Sequence, residues 1–395
     1  MLARTRALPG RMSRVSHSPS ASSNGSRDRS VPPRIAIVAA SPRIIGGHAV
    51  QAQRLIARWR EEGTIDAWLV PIDPEPPAPL APALRVKYLR TVITQLCYWP
   101  SLVRELRHAD VVHVFSASYT SFLLAPLPAF LVGKLLGKPV IVNYRSGEAP
   151  DHLRRSRLAR AVLRRSDMNV VPSRFLAEVF ARFGLTARIV PNTIDLSVFK
   201  YRERVPLRPH LLSTRNFEGL YNVACTLRAF ARVQQRYPEA TLTLVGSGSE
   251  GERLERLAVE LGLRNVIFAG SVPSGEIHHR YRDADIYVQT PSIDNMPGSV
   301  LEAFASGLPV VSTNVGGVPA ILTDGVHGRL AANDDDEAVA DRILMLLERP
   351  DYARQLARAA LETCRAYEWA SVRSQWLDAY AAVTRRREAP VPARV

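Results

Sequence analysis

The sequence predicts an α/β protein made of two doubly wound parallel sheets. Short apolar runs typical of buried strands recur along the chain, and stretches with helical periodicity separate them. This alternation is typical of parallel sheets whose two faces are covered by helices. A chain of 395 residues is also too long for one ordinary domain, so we expect two domains, each with its own core.

In the first half, the predicted strands cover residues 34–40, 67–71, 111–115, 139–144, 169–172 and 187–190. The first strand leads through Gly46 and Gly47 into an amphipathic helix. Paired glycines at such a turn let the backbone approach a phosphate, although a tight turn is an equal alternative. Polar side chains, among them Arg145 and Glu148, follow the strand at residues 139–144, where ligand groups belong in a parallel sheet.

The second half continues the same alternation, with predicted strands at residues 210–214, 240–245, 265–269, 285–289 and 309–312. Arg215 follows the first of these strands. Asp283 and Asp285 have the D-x-D spacing of some metal sites, but they flank the start of a strand, so we interpret them as structural. Three consecutive aspartates at residues 334–336 are typical of a helix start, where the macrodipole favours acids.

The most informative stretch covers residues 290–319 and reads TPSIDNMPGSVLEAFASGLPVVSTNVGGVP. Its polar loop lies after a predicted strand and before a helix predicted over residues 299–306. Open α/β sheets bind ligands at such places, and the N–H groups at a helix start attract anions. Asp294 and Glu302 frame the loop. Glu302 is predicted in the first turn of the helix, so helix capping and ligand binding are both open for it.

This stretch resembles the signature of the family-4 retaining glycosyltransferases, which have two acids spaced like Asp294 and Glu302, followed by A-x-G-x-P-V-V and G-G-x-P runs. The resemblance implies the GT-B fold: two facing Rossmann-like domains, an interdomain cleft and a C-terminal crossover helix. The domains would cover residues 34–200, on the acceptor side, and residues 201–368, which bind the nucleotide sugar. The crossover helix would cover residues 369–386, with a basic disordered extension at residues 1–33 and a flexible tail at residues 387–395.

The activity that the resemblance implies is transfer of a sugar from a nucleoside diphosphate sugar to an acceptor hydroxyl, with retention, in glycan or envelope polysaccharide synthesis. Glu302 would hydrogen-bond the donor ribose, Asp294 would face the donor sugar, and Arg215 would bind the donor phosphates. The backbone N–H groups of the segment Met296, Pro297, Gly298 and Ser299 would meet the diphosphate. The glycines at residues 46 and 47 would touch the diphosphate or the acceptor.

Three positions depart from the family pattern. The family usually has Glu where this chain has Asp294, and relatives commonly have His where it has Arg145. A guanidinium is not a general acid or base at neutral pH, so Arg145 would act electrostatically or bind the acceptor, together with Glu148. Tyr221 stands where the family has a lysine that binds the donor phosphates. Only Lys200 or Arg43 are conjectured to supply the missing positive charge.

Two other classes of function remain open. A catalytically silent GT-B scaffold would explain the replacements at residues 145 and 221, although retention of Arg215 and Glu302 argues against it. A dinucleotide-dependent oxidoreductase would also contain paired Rossmann units. That class requires a glycine fingerprint after the first strand, which the pair at residues 46 and 47 does not supply.

The net charge of +15 suggests nucleic acid as a partner, but six arginines and one acid lie before residue 34, and no RNA-binding or helix-turn-helix signature accompanies them. We therefore expect no nucleic-acid partner. A further basic cluster falls on one predicted helix and consists of Arg154, Arg155, Arg157, Arg160, Arg164 and Arg165. It is either a solvated face or a surface for anionic lipid or an anionic acceptor.

The three cysteines lie far apart without C-x-x-C spacing, so neither a disulfide framework nor a zinc site is indicated. We expect a cytoplasmic protein, with peripheral contact to the inner face of an anionic membrane as an option. The longest apolar run, at residues 122–136, contains two prolines and a lysine and is too short to span a bilayer. The expected partners are a nucleotide-sugar donor and a saccharide or lipid-linked acceptor, and neither a cofactor nor a metal is expected.

Overall fold

The structure is a computed structural model that describes residues 32–44, 46–79 and 86–388. Residues 1–31 of the predicted basic extension and residues 389–395 of the predicted tail lie outside the described residues. The strands form two parallel six-stranded sheets, so the predicted fold class is confirmed.

The first sheet has the strand order β2-β1-β3-β4-β5-β6. Its strands are β1 Arg34–Ala39, β2 Asp66–Pro71, β3 Val111–Ser116, β4 Val140–Tyr144, β5 Met168–Val171 and β6 Arg188–Ile189. All neighbouring strands run parallel. The chain reverses the direction of winding between β1 and β3, and ligands of open α/β sheets bind at such a switch point, beyond the carboxyl ends of the strands.

Seven helices of the described chain connect the strands of the first sheet: α1 Gly47–Glu62, α2 Lys87–Leu106, α3 Tyr119–Leu124, α4 Pro126–Leu135, α5 Ala149–Arg155, α6 Arg157–Arg165 and α7 Arg174–Arg182. The prediction of one helix for the arginine cluster was wrong. Ser156 has an extended backbone between α5 and α6, and its hydroxyl accepts a hydrogen bond from the Ala159 backbone N–H. A serine in this role begins a new helix, so the cluster is divided between two helices.

The second sheet has the order β12-β11-β10-β7-β8-β9, again with parallel neighbours. Its strands are β7 His210–Ser213, β8 Thr241–Leu244, β9 Val266–Phe268, β10 Ile286–Gln289, β11 Val310–Thr313 and β12 Arg329–Ala331. The helices of this half are α8 Val223–Arg236, α9 Gly251–Glu260, α10 Ile277–Asp283, α11 Gly298–Ala305, α12 Asp336–Glu348 and α13 Pro350–Cys364. The winding reverses between β7 and β10, which places the second switch point at their carboxyl ends.

The last helix, α14 Trp369–Glu388, returns to the first sheet. Its Trp376 and Tyr380 are buried in the same core cluster as Ile35 and Trp59, on the face of the first sheet that α1 also covers. The Tyr380 hydroxyl lies 2.9 Å from Nδ1 of His113 on β3. Helix α14 therefore ties the end of the chain to its first half.

Candidate functional site

The loop between β10 and α11 is held in place by two glycines of the G-G-x-P run. A Cβ atom on Gly316 would overlap the carbonyl oxygen of Asp294, and one on Gly317 would overlap that of Asn295. Gly316 also has φ +53°, a conformation that favours glycine. The Gly317 N–H donates to the Asp294 carbonyl at 3.0 Å. These glycines therefore let the chain after β11 pass directly against the loop.

Arg215 follows β7 and is buried against this loop. Its Nη2 lies 2.6 Å from Oδ2 of Asp294, and its Nη1 donates to the Ser299 hydroxyl at 3.1 Å. The guanidinium stacks 4.0 Å from the centre of the Tyr221 ring. Burial alone would lower the pKa of Arg215, but the Asp294 carboxylate and the nearby hydroxyls of Tyr221, Tyr281 and Tyr287 together outweigh it and raise the pKa above its usual range. Arg215 is therefore charged, and Nε finds no hydrogen-bond partner in the described chain.

Glu302 is the fifth residue of α11, and no acid lies in the first turn of that helix. The predicted first-turn position was wrong because the helix begins at Gly298, and Glu302 is too far along it to cap the N-terminus. Its Oε1 accepts instead from Nη2 of Arg54 at 2.8 Å, and both side chains are mostly buried. Arg54 lies on α1, so this ion pair joins the two halves of the molecule.

The first half contributes the loop that enters α1. Neither Gly46 nor Gly47 has the positive φ of a tight turn, and a Cβ on either would meet no atom within 4 Å. Both border the cleft. Beside them, burial and, to a smaller extent, the charge of Arg145 lower the pKa of His48 to about 4. His48 is therefore uncharged at neutral pH.

Arg145 follows β4 and is buried. Its Nη1 donates to Oδ1 of Asn143 at 3.4 Å, its Nη2 donates to Oδ1 of Asn192, and its guanidinium lies 5.2 Å from the centre of the Phe115 ring. No carboxylate within the described ranges forms an ion pair with it. Burial lowers the pKa of Arg145 to about 9. The cleft thus contains a buried cation whose hydrogen-bond partners in the described chain are neutral amides.

The two halves meet around a cavity of about 620 Å³. Met296 accepts a hydrogen bond at its carbonyl from Nδ2 of Asn192 at 2.7 Å, and Nδ2 of Asn295 donates to the Arg145 carbonyl at 3.4 Å. All the predicted site residues line this cavity: Gly46, Gly47, Arg145, Glu148, Arg215, Asp294, Met296, Pro297, Gly298, Ser299 and Glu302. The sequence reasoning missed His48, Gln51 and Arg54. These residues follow the glycine pair and lie three positions apart from one another, a spacing that places them on one side of α1.

Other predicted candidates lie outside the cavity. Arg43 pairs with Glu75 at 2.7 Å on the surface, and Lys200 lines a separate cavity of about 610 Å³, so neither replaces the family's lysine. Asp285 is buried between the guanidinium groups of Arg202 and Arg208, each at 2.7 Å, which supports its structural interpretation. Across the described residues, no three His, Cys, Asp or Glu side chains come together as a metal site would require.

The arginines of α5 and α6 contact local partners. Arg154 and Arg155 pair with Asp151 at 2.6 and 2.9 Å, and Arg160 donates to the Leu153 carbonyl at 2.5 Å. These contacts favour the interpretation as a solvated face. Within the described ranges, none of the helices is long and apolar enough to cross a membrane.

Comparison with known proteins agrees with this architecture. The family model Glycosyltransferase Family 4 matches residues 45–198, and Glycosyl transferases group 1 matches residues 202–363. The sulfoquinovosyl transferase SQD2 of Arabidopsis thaliana is 25% identical over 308 residues, which cover 71% of this chain and 59% of the plant protein. A D-inositol 3-phosphate glycosyltransferase of Saccharomonospora viridis is 27% identical over 353 residues, covering 78% of this chain and 82% of that protein.

Solved structures match most of the chain. Sucrose-phosphate synthase from Thermosynechococcus elongatus has a TM-score of 0.73 at 20% identity, covering 90% of this chain and all of that one. Anabaena Alr3699/HepE in complex with UDP and glucose has a TM-score of 0.69 at 16% identity and covers 88% and 99% of the two chains. At these identities the likeness concerns the fold. Together with the two family models, it means that the chain belongs to the GT-B glycosyltransferases of group 1 and family 4 type.

Proposed function

We propose that the chain is a retaining glycosyltransferase that moves a sugar from a nucleoside diphosphate sugar to an acceptor hydroxyl. The observation that carries this proposal is the environment of Arg215. The guanidinium is buried at the switch point of the second sheet, and its Nε lacks a partner in the described part of the chain. A buried donor without a partner costs about 1–3 kcal/mol. A phosphate oxygen of the donor would satisfy it.

The start of α11 would bind the rest of the diphosphate. Pro297 is the N-cap residue and has no side-chain group that could cap the helix. The first backbone N–H groups, including that of Ser299, can then receive phosphate oxygens, and the helix dipole favours their negative charge. Gly46 and Gly47 leave room for the diphosphate on the opposite wall of the cleft. These groups would stabilise the charge that develops on the leaving diphosphate.

A single guanidinium would carry most of the positive charge at the phosphates. Tyr221, which stands in place of the family's lysine, stacks on Arg215 and holds its planar group in one orientation. Arg54 lines the same cavity, and we propose that it supplements Arg215. With charge supplied by these side chains and by α11, neither a metal nor another cofactor is required in this proposal.

The two acids of the signature have different neighbours and would have different roles. Glu302 would bind the donor ribose and would share its carboxylate with Arg54. Asp294 has one oxygen on Arg215 at 2.6 Å and the other on the backbone N–H of Asn295 at 2.8 Å. Held in this way, its carboxylate would lie beside the donor sugar and stabilise a cation-like transition state, as carboxylates do in glycoside hydrolysis. Retention would require the acceptor oxygen to form its bond to the anomeric carbon on the face where the bond to the diphosphate breaks.

The acceptor would bind on the side of the first sheet, near Arg145, His48 and Glu148. A buried cation without a carboxylate partner is costly, so an acceptor with a negatively charged group suits Arg145. The relative from Saccharomonospora viridis is named for D-inositol 3-phosphate, which has such a group. We propose a saccharide or lipid-linked acceptor of this anionic kind, used in glycan or envelope polysaccharide synthesis. Contacts of the Met296 and Asn295 region with the first half would exclude water from the donor.

A thermal-shift screen against nucleoside diphosphates and nucleotide sugars, with NAD and NADP as controls, tests this proposal, because a ligand of the native state raises the melting temperature. Glu302→Ala should remove the stabilisation by every nucleoside diphosphate, whereas Glu178→Ala on the exposed face of α7 should not. Asp294→Asn should reduce sugar transfer and leave nucleotide binding nearly intact. No shift with any nucleotide would favour a silent scaffold, and a shift with NAD or NADP alone would indicate an oxidoreductase.

A further inference from the structure

Helix α2 has apolar side chains on both of its faces. On the inner face, Tyr98, Leu102 and Leu106 are buried in the core of the first sheet. On the outer face, exposed apolar side chains recur every three or four residues: Tyr88, Val92, Leu96, Trp99 and Val103. A surface helix normally directs polar residues away from its core face. The outer face of α2 therefore has the composition of a contact surface.

This outer stripe is well exposed, and α4, which packs against α2, also has exposed apolar side chains. Tyr88 is 81% exposed and Leu96 is 68% exposed. Gln95 donates to the Leu124 carbonyl at 3.0 Å and so fixes α2 beside α3 and α4. On α4, Leu131 and Leu135 are exposed as well. Contiguous apolar patches of this kind mark interaction sites rather than ordinary solvated surface.

Helices α2, α3 and α4 contain more basic than acidic side chains. Their one acidic residue is Glu105, and its carboxylate pairs with Arg104 at 3.0 Å. Arg104 and Arg107 are exposed beside Val103, where the stripe ends, whereas Arg90 lies on the opposite side of α2. The surface thus combines an apolar stripe with a cationic rim at its C-terminal end, formed by Arg104 and Arg107, which is the complement of a layer that is anionic outside and apolar inside.

We propose that the outer face of α2 docks on the surface of an anionic lipid bilayer. The apolar side chains would enter the boundary between headgroups and acyl chains, as they do in helices that lie in the membrane interface. Tyr88 and Trp99 have the amphipathic rings that are enriched at this depth. The arginines of the rim would meet anionic headgroups, an attraction that depends on ionic strength.

Other occupants fit this surface less well. Residues 1–31 contain six arginines and one acid, so their charge has the same sign as the rim. A second copy of the chain would bring two cationic rims together.

Co-sedimentation of the full chain with vesicles tests the proposal. Binding is expected with phosphatidylcholine–phosphatidylglycerol vesicles and should weaken with added salt. Leu96→Glu should reduce the vesicle-bound fraction at least about tenfold, because a charge replaces an inserted apolar side chain. Val259→Glu on α9 is the matched control, because Val259 is 80% exposed on a helix of the other half, and it should bind like the wild type. Both residues are exposed, so both variants should fold.

A second readout locates the contact. Brominated lipids should quench the tryptophan fluorescence of the wild type, and Trp99→Phe should lose most of this quenching while still binding vesicles. Binding that Leu96→Glu leaves unchanged would place the attachment elsewhere, for example on the arginines before residue 32, and would overturn the proposal. A dimer in sedimentation velocity that Leu96→Glu dissociates would assign the face to a second copy instead. The vesicle assay requires no sugar transfer, so its result stands whatever reaction the cleft performs.

Discussion

Replacement of Arg215 by methionine or lysine separates its role in binding from its role in the fold. Methionine keeps an unbranched apolar stem against Tyr221 but removes the charge that faces Asp294. Lysine keeps the charge but lacks the planar fork that matches phosphate oxygens. Both variants should lose affinity for a nucleoside diphosphate. A charged hydrogen bond is worth about 1.5–3 kcal/mol, which corresponds to a loss of about 10- to 150-fold.

The two variants should differ in stability. The side chains of Arg215 and Asp294 are 10% and 14% exposed, and removal of one partner from a buried ion pair costs about 3–5 kcal/mol. Asp294 keeps the backbone N–H of Asn295 in Arg215→Met, so we expect the lower value. The melting temperature should then fall by about 6–12 °C, at about 2–4 °C per kcal/mol. Arg215→Lys should melt within a few degrees of the wild type.

Isothermal titration with UDP measures the affinity, and differential scanning fluorimetry measures the melting temperature. Arg253→Met is the control: Arg253 pairs with Glu250 on the exposed surface of α9, and such pairs contribute about 0–1 kcal/mol. If Arg215→Lys and Arg215→Met both bound UDP as tightly as the wild type, Arg215 would have no part in diphosphate binding. Loss of affinity only in the methionine variant would mean that charge alone, and not the fork, is recognised.

Two further predictions follow from the packing. Gly316→Ala should destabilise the protein and abolish nucleotide binding, because Gly316 has φ +53° and the new methyl group would overlap the Asp294 carbonyl oxygen. The control is Gly275→Ala, which should have neither effect because its Cβ meets open space. A Gly316→Ala variant that is stable and binds nucleotide would contradict the packing argument. Burial lowers the pKa of His113 to about 3 from its usual 6.5. Between pH 6.5 and about pH 3, this histidine is therefore protonated in the unfolded chain but not in the folded one. The contribution of His113 to the free energy of unfolding should fall by about 1.4 kcal/mol for each pH unit of acidification in this range. His113→Asn should flatten this slope in urea unfolding at a series of pH values, and an unchanged slope would show that His113 does not cause it.

The apolar periodicity and the turn residues of short stretches were sufficient to predict much of the fold. The strand at Ile286–Gln289, the loop after it and the helix at Gly298–Ala305 were predicted within one residue or so, because each depends on the apolar period and turn residues of a short stretch. The same local reasoning was wrong for the arginine cluster, because the single extended residue Ser156 ends one helix and caps the next.

The candidate site was predicted as a set of residues but not as a set of contacts. Glu302 was expected either to cap its own helix or to bind ligand, and it pairs with Arg54, which lies 248 positions away in the sequence. From the sequence, Tyr221 in place of the family's lysine means only the loss of a positive charge. The structure adds that its ring stacks on Arg215. Both contacts depend on how separate elements pack, which no short stretch encodes.

The sequence by itself determined the alternation of strands and helices, the loop that contains Asp294 and the polar residues beyond the strand ends, because these depend on neighbours within a few positions. Only the tertiary structure decided which charges meet: Arg215 with Asp294 across 79 positions, and Arg54 with Glu302 across the cleft. It also decided that Arg145 is buried without a carboxylate partner in the described chain and that the outer face of α2 is left exposed. The burial of a side chain and its ion pairs are properties of the packed sheets and helices. The charge state and the contacts of each side chain are therefore defined only when the two halves come together.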